Sequence, residues 1–218
     1  MGNLSAEYKS LFENKKYHKS FFLGLALLAF AGVVNSFLIK YIDNVQGNSV
    51  GDLILDNLPT LGLFWARTWG MALIVIVAVL LVLYKPRYFP VTLKSMGLMY
   101  ITRPIFASLT QLQFQPEKIA IPENYPFFGS FLLSGKDLFF SGHVAFPFLI
   151  SLIFWDNKKI RYTFISLSIL SGIVVLFSKA HYSIDVFAAP FIVYGVYKIT
   201  EKLFKEDFDY IKKVKTQN

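Results

Sequence analysis

Residues 138–200 read LFFSGHVAFPFLISLIFWDNKKIRYTFISLSILSGIVVLFSKAHYSIDVFAAPFIVYGVYKIT and contain apolar blocks separated by a basic turn and a short polar segment. We place these blocks at residues 138–155, 162–179 and 183–200. Each is close to the roughly 20 residues that an α-helix needs to cross a bilayer. The stretch therefore predicts consecutive membrane spans in the second half of the chain.

The first half of the chain adds apolar segments at residues 20–41, 61–84 and 93–112. The 218 residues are 55% hydrophobic with mean hydropathy +0.49, which is more apolar than an ordinary soluble domain. We predict an all-α fold, a polytopic membrane protein built as a six-helix bundle. Residues 1–218 are expected to form a single membrane domain, with tails at residues 1–19 and 201–218.

Basic residues are distributed unevenly between the two sides of this predicted bundle. Sixteen of the 22 Lys and Arg residues fall in the two tails, in the loops after the second and fourth spans, or at the ends of the third and sixth spans on the same side. Because cytoplasmic segments carry the excess of Lys and Arg, both termini are predicted to be cytoplasmic, with His18 on that surface. Topology thus explains the net charge of +8, and no nucleic-acid partner is expected.

Residues 113–137 form the longest predicted connection between spans, and they fall on the non-cytoplasmic side. The segment contains Pro116, Pro122 and Pro126 and is rich in aromatic residues. Prolines at this density favour an irregular surface segment over a membrane-crossing helix. We expect a lid or an interfacial hairpin here.

The chain has no Cys and hence no thiolate nucleophile or Cys-ligated metal, which leaves its three histidines as candidates for chemistry. His143 and His181 stand near the starts of the fourth and sixth predicted spans, and topology brings both starts to the non-cytoplasmic face. Asp185 follows His181 by one helical turn, where its carboxylate can accept the imidazole N–H. This pattern predicts that His181 is a nucleophile oriented by Asp185.

Ser141 and Gly142 precede the helical run that contains His143. Free backbone N–H groups in the first turn of such a helix predict a phosphate-binding site, beside which His143 would act as a proton donor. Arg67 and Arg103 fall within predicted spans, where ionisable residues are costly and usually functional. Because either guanidinium can bind phosphate oxygens bidentately, these residues predict a phosphoryl-transfer site that needs no metal.

Two motifs in this region resemble those of a known superfamily. Residues 137–143, DLFFSGH, and residues 181–186, HYSIDV, are similar to the Ser-Gly-His and His-x-x-x-Asp motifs of the phosphatidic acid phosphatase type 2 superfamily. The fuller match is to its sphingomyelin synthase branch. Residues 97–103, GLMYITR, and residues 56–59, DNLP, resemble two further motifs of that branch. The four motifs follow the same order along the chain as in the branch. The branch likewise has six spans with both ends cytoplasmic.

The resemblance implies a membrane lipid phosphotransferase that moves a phosphocholine or phosphoethanolamine headgroup from a glycerophospholipid to a ceramide-like alcohol through a phosphohistidine. The expected partners are membrane phospholipid and a ceramide or diacylglycerol-type lipid, with no cofactor. Asp137 is expected to bind a headgroup amine or to tune His143. Tyr100 and Lys179 are further candidates for substrate binding, and a bacterial inner membrane suits the short chain.

Departures from the branch leave the headgroup and the acceptor open. Lys136 stands where the branch has Gly, residues 134–135 do not reproduce its Cys-Gly pair, and Val144 replaces its Thr. Val175 occupies a position where the broader phosphatase pattern has Arg, which disfavours an ordinary lipid phosphatase. The alternatives are a phosphatase or phospholipase C-type hydrolase that uses the same histidines, and a transporter or scramblase that binds lipid without chemistry. The lack of a detectable inverted repeat argues against a transporter.

Overall fold

The computed structural model describes residues 4–45, 47–113 and 139–215 of the chain. Within these ranges the protein is helical and forms no strand. Its helices are α1 (Leu4–Glu13), α2 (Lys15–Asn44), α3 (Phe64–Tyr84), α4 (Phe89–Thr110), α5 (Gly142–Ile153), α6 (Lys158–Phe177), α7 (Ser183–Leu203) and α8 (Lys205–Lys215). The predicted all-α class is confirmed for the described residues.

Four of these helices, α2, α3, α6 and α7, are long and apolar enough to cross a membrane, judged by length and composition. The helix at the fourth predicted span, α5, has only 12 residues. At 1.5 Å per residue that is about 18 Å, shorter than a hydrocarbon core of about 30 Å. The third, α4, has 22 residues but carries Lys94 and Arg103. The structure supports a multi-pass membrane protein, and the count of six spans stays a prediction.

Two glycines set the close packing of α2 along α4. A Cβ added to Gly24 on α2 would lie 2.9 Å from the Cβ of Leu93 on α4. A Cβ added to Gly97 on α4 would lie 2.9 Å from Cγ of Leu27 on α2. Small residues at such contacts let two helix backbones approach closely, as in membrane helix pairs.

The short helix α5 occupies the interior of the bundle, where it packs against α6 and α7. Ala145 and Leu149 on α5 are both 0% exposed. The longer helices instead carry large apolar side chains on their outer faces, including Phe37, Leu73 and Ile169. The helix too short to span is therefore enclosed by protein, whereas α2, α3 and α6 present surfaces suited to lipid.

The starts of α5 and α7 meet residues 47–63 at one end of the bundle. The Ser141 N–H, just before α5, donates to the carbonyl oxygen of Asp185 on α7 at 3.0 Å. The Ser183 N–H, at the start of α7, donates to the carboxylate of Asp52 at 2.6 Å. Three segments that are far apart in the sequence thus converge at the end where both His143 and His181 lie.

Candidate active site

His181 lies between α6 and α7, and its side chain is only 6% exposed. Its Nδ1 is 3.3 Å from Oδ2 of Asp185 in the first turn of α7. An ionised carboxylate at this position accepts the Nδ1–H, which fixes the neutral tautomer with its lone pair on Nε2. The geometry therefore makes Nε2 the nitrogen that can attack a substrate.

Asp185 is itself held by the N-terminus of α7. The Tyr182 N–H donates to Oδ2 of Asp185 at 3.0 Å, as one half of a capping box at the start of the helix. The Tyr182 hydroxyl donates to the Gln113 carbonyl at 2.7 Å and accepts the Val50 N–H at 3.2 Å. Tyr182, which caps the carboxylate of Asp185, is thus itself held by Gln113 and Val50.

His143 lies in the first turn of α5 and faces His181 across the site. Their ring centroids are 6.0 Å apart and the ring planes are inclined by 68°. His143 is half-buried, and Arg67 and Arg103 are close enough for their positive charges to act on it. Since reacting atoms approach to about 3–3.5 Å, this separation is of the size that one phosphoryl group spans.

Arg103 on α4 lies directly against Gly142, the first residue of α5. A Cβ on Gly142 would be 3.4 Å from both Cζ and Nε of Arg103, and the Arg103 Nε–H donates to the Phe140 carbonyl at 2.8 Å. The guanidinium is therefore beside a helix N-terminus, whose first N–H groups have no partner within the helix. Both features favour an anion next to His143.

Ser141 differs from the sequence-based expectation in one respect. Its backbone N–H donates to the Asp185 carbonyl, because the chain passes α7 just before α5 begins. That N–H is therefore not the phosphate donor that the sequence predicted. The Ser141 hydroxyl is buried and has no hydrogen-bond partner among the described residues, which is unusual for a buried polar group. Ser141 thus links α5 to α7 through its backbone, and a role for its hydroxyl in phosphate binding stays a prediction.

A second arginine reaches the site from α3. Arg67 is 6% exposed, its Cζ lies 5.5 Å from the centre of the Phe64 ring, and its charge acts on His143. Val175, where the broader phosphatase pattern has Arg, is instead fully buried in the apolar core. Guanidinium groups near the histidines therefore come from α3 and α4, whereas Val175 on α6 supplies none.

Lys179, predicted as a substrate-binding residue, has a structural contact. It is 2% exposed, it adopts a left-handed conformation with φ of 49°, and its ammonium donates to the Leu55 carbonyl. This contact joins the end of α6 to residues 47–63. A role for Lys179 in phosphate binding stays a prediction.

The other residues predicted to bind substrate are Tyr100 and Asp137. Tyr100 is half-buried and packs against the apolar core. Asp137, Lys136 and the rest of the predicted lid after Gln113 lie outside the described residues. Within the part of the chain that is described, no group of three or more His, Asp or Glu residues is placed to hold a metal ion.

Sequence reasoning missed Asp52. Its Oδ2 accepts the Ser183 N–H at 2.6 Å, and its Oδ1 accepts the Leu55 N–H at 2.9 Å. Burial raises the pKa of Asp52, but these hydrogen bonds outweigh burial and hold the pKa below its ordinary value. The spacing of Asp52 and Leu55 is typical of a local cap. No sequence signal points to Ser183, which lies 131 residues further along the chain.

Both histidines fall within a region that matches a known family. Residues 135–203 match the family model described as PAP2 superfamily C-terminal. No curated protein matches the chain. The sphingomyelin synthase branch stays a prediction, since the match is to the superfamily as a whole. The match supports the superfamily, whose members are phosphatases and phosphotransferases, and thereby an enzyme of that general kind.

Proposed function

We propose that the protein is a membrane lipid phosphotransferase that moves a phospho-headgroup from a glycerophospholipid to a ceramide-like alcohol. The observation that carries the proposal is a pair of imidazoles 6.0 Å apart, of which His181 has a buried carboxylate partner. Such an asymmetric pair suits one nucleophile and one proton carrier. The match of residues 135–203 to the PAP2 superfamily supports the same general chemistry.

In the first step, Nε2 of His181 attacks the phosphorus atom of a phospholipid diester. The new P–N bond forms as the P–O bond to the diacylglycerol oxygen breaks. His143, in its protonated form, gives its proton to that oxygen, so diacylglycerol leaves as a neutral alcohol. Asp185 stabilises the positive charge that the His181 ring acquires when the P–N bond forms.

In the second step, the same two groups act on the acceptor. His143, now neutral, takes the proton of a primary hydroxyl as that oxygen attacks phosphorus. The P–N bond breaks, and its electron pair returns to Nε2 of His181. A lipid alcohol in this position yields a new phospholipid, whereas water yields the free phospho-headgroup.

Charge on the phosphoryl oxygens is stabilised by groups that the fold fixes in advance. Arg103 lies against the first residue of α5, and the charge of Arg67 acts on His143 from α3. Preorganised donors of this kind act where charge develops and need no reorganisation during the reaction. Phosphoryl transfer depends mainly on positioning and on such electrostatic stabilisation.

A lipid hydrolase that uses the same histidines is the second candidate. His143 is half-buried rather than enclosed, so water is able to approach the proton carrier. The family match covers phosphatases as well as phosphotransferases. The two candidates share the first step and differ in what accepts the headgroup in the second.

The deciding experiment uses purified protein in liposomes that contain phospholipid with a labelled headgroup, phosphocholine or phosphoethanolamine, with and without ceramide. A transferase converts the label into a ceramide phospholipid only when ceramide is present, and releases diacylglycerol in equal amount. A hydrolase releases water-soluble label whether or not ceramide is added. Either result identifies the acceptor.

His181→Ala is the test variant, and His18→Ala is its matched control. His18 is exposed, and it contacts Phe22 at a ring distance of 4.8 Å at the start of α2. We expect the His181 variant to lose both products and any label bound to protein, and the His18 variant to keep all three. Product formation by the His181 variant at the normal rate would remove the phosphohistidine from the mechanism.

A further inference from the structure

The end of the bundle opposite the histidines holds a cavity of about 590 Å³. Its walls come from the start of α2, the turn between α3 and α4, and the junction of α7 with α8. The volume lies in the range of small-molecule sites, about 300–1,000 Å³. The 21 residues of α7, about 30 Å of helix, separate this end from His181, so the cavity is not part of the candidate active site.

The floor of the cavity is a buried network around Lys94. Its Nζ lies 2.5 Å from Oδ2 of Asp207 and 2.6 Å from the Ser20 hydroxyl. The Lys94 side chain is 3% exposed, and its ammonium lies 4.4 Å from the centre of the Phe204 ring. Because Asp207 neutralises Lys94, this network is structural: it fixes α2, α4 and α8 around the cavity.

Five basic side chains line the cavity, against two acidic ones. Each acidic side chain has a lysine partner: Asp207 contacts Lys94 at 2.5 Å, and Glu206 lies 3.8 Å from Lys16. The lining is therefore positive after these pairs are taken into account. The basic residues beyond the two pairs are Lys19, Arg87 and Lys205.

Arg87 supplies an independent observation that points to an anion. Its Nε is buried and has no hydrogen-bond partner among the described residues, while its Cζ lies 5.9 Å from the centre of the Tyr88 ring. A buried N–H without an acceptor is destabilising. A phosphate oxygen in the cavity would satisfy this donor, and the planar guanidinium suits phosphate geometry.

Apolar side chains continue the cavity towards the membrane. Leu23 on α2 and Leu203 on α7 line it and are 49% and 62% exposed, on helices long enough to cross a membrane. A ligand here meets cations on one side and lipid-facing apolar groups on the other, which matches a phosphate headgroup joined to acyl chains. We propose that this cavity binds the headgroup of an anionic glycerophospholipid from the leaflet opposite the histidines.

The test uses the full chain in phosphatidylcholine nanodiscs with increasing phosphatidylglycerol, and measures the phospholipid retained on the protein by native mass spectrometry. We expect saturable retention of phosphatidylglycerol by the unmodified protein. Arg87→Gln is expected to weaken apparent binding about tenfold, because a charge-assisted hydrogen bond is lost. Lys158→Gln, which removes an exposed charge at the start of α6 outside the cavity, is expected to change it by less than about twofold.

Two results would overturn the proposal. Equal weakening by Arg87→Gln and Lys158→Gln would mean diffuse attraction to an anionic surface. Displacement of the lipid by millimolar inorganic phosphate or glycerol phosphate would mean that the cavity takes free phosphate rather than a lipid. If Arg87→Gln does not fold, Lys19→Gln, an exposed position on the same cavity, replaces it. The site is independent of the proposed reaction, so His181→Ala should retain phosphatidylglycerol normally.

Discussion

The two histidines of the candidate site have different surroundings. His181 is 6% exposed and contacts a fully buried Asp185, and the start of the helix that carries Asp185 is fastened to Asp52. His143 is half-buried at the start of a short helix, beside the guanidinium charges. A nucleophile must keep one orientation, whereas a proton carrier must serve a leaving oxygen and then an attacking one. The contrast suits the two roles proposed for them.

The largest effect should come from the contact that distinguishes His181. Asp185→Asn keeps the size of the side chain and an oxygen that accepts the Tyr182 N–H, but its amide donates to Nδ1 of His181 and so favours the wrong tautomer. We expect headgroup transfer to slow by about 10³-fold, with little loss of thermal stability, as for other oriented histidines. Initial rates and melting curves on the same preparations measure both quantities.

Asp156→Asn is the control for this variant, since Asp156 is exposed in the turn between α5 and α6. It should leave transfer unchanged. An Asp185→Asn protein with a normal rate would show that the carboxylate only caps α7. The different roles proposed for His181 and His143 would then be wrong.

His143→Ala tests the role proposed for His143 as the proton carrier. With a natural lipid, we expect about a 10²-fold to 10³-fold loss, in the range of general acid catalysis. With a nitrophenyl phosphodiester, whose leaving group needs no proton, the first step should be restored and the second step should stay slow. A burst of nitrophenol followed by accumulation of modified His181 would be the signature.

An equal loss on both substrates would contradict the role of His143 as a proton carrier. It would indicate instead that the ring of His143 positions the substrate or supports the packing of α5. The corresponding His18→Ala protein should behave as the unmodified protein on both substrates. His18 lies at the start of α2, at the end of the bundle opposite the candidate site.

The sequence predicted the parts of this site that depend on local spacing. His181 and Asp185 are one helical turn apart, and helix geometry alone brings them together. The apolar segments identified the helices, and the alternation of spans placed His143 and His181 at one end. Both arguments need only the order and length of apolar segments, which the sequence shows directly.

Contacts between distant segments were not predictable in the same way. The bond from Asp52 to Ser183 joins residues with no shared pattern, and the Ser141 N–H is taken by the Asp185 carbonyl. The apolar block at residues 138–155 also overstated the helix, which has 12 residues and begins at Gly142. Apolar composition locates a buried segment, but it does not show where its helix begins.

Arg103→Lys tests whether the shape of the cation matters beside His143. Lysine keeps the charge but not the planar fork, so the bond to the Phe140 carbonyl, 2.8 Å from Nε, and the proposed bidentate contact with phosphate are both lost. We expect a fall in kcat of about 10-fold to 10²-fold with a smaller change in KM, measured in mixed micelles. Arg161→Lys, at the start of α6, should be neutral. Unchanged kcat in Arg103→Lys would leave only a structural role for its guanidinium.

The smallest effect is expected at Asp52, which acts on His181 only through the start of α7. Asp52→Asn loses the charge that strengthens the bond to the Ser183 N–H. At neutral pH we expect a loss of about 1–2 kcal/mol in the free energy of unfolding, or a melting temperature lower by about 2–8 °C. The pKa of Asp52 is below its ordinary value in the folded protein. Its stabilisation is therefore complete above the unfolded pKa, about 3.9, and is lost as the pH falls through the folded pKa.

The difference in melting temperature between the unmodified protein and Asp52→Asn should therefore be constant from pH 8 to about pH 5 and shrink at lower pH. Asp156→Asn, at an exposed position, serves as the control and should melt with the unmodified protein throughout. A difference that grows on acidification would mean that the carboxylate is favoured in its protonated form. The loop at residues 47–63 would then be held mainly by the bond from Lys179 to the Leu55 carbonyl. The position of His181 just before the start of α7 would not depend on the charge of Asp52.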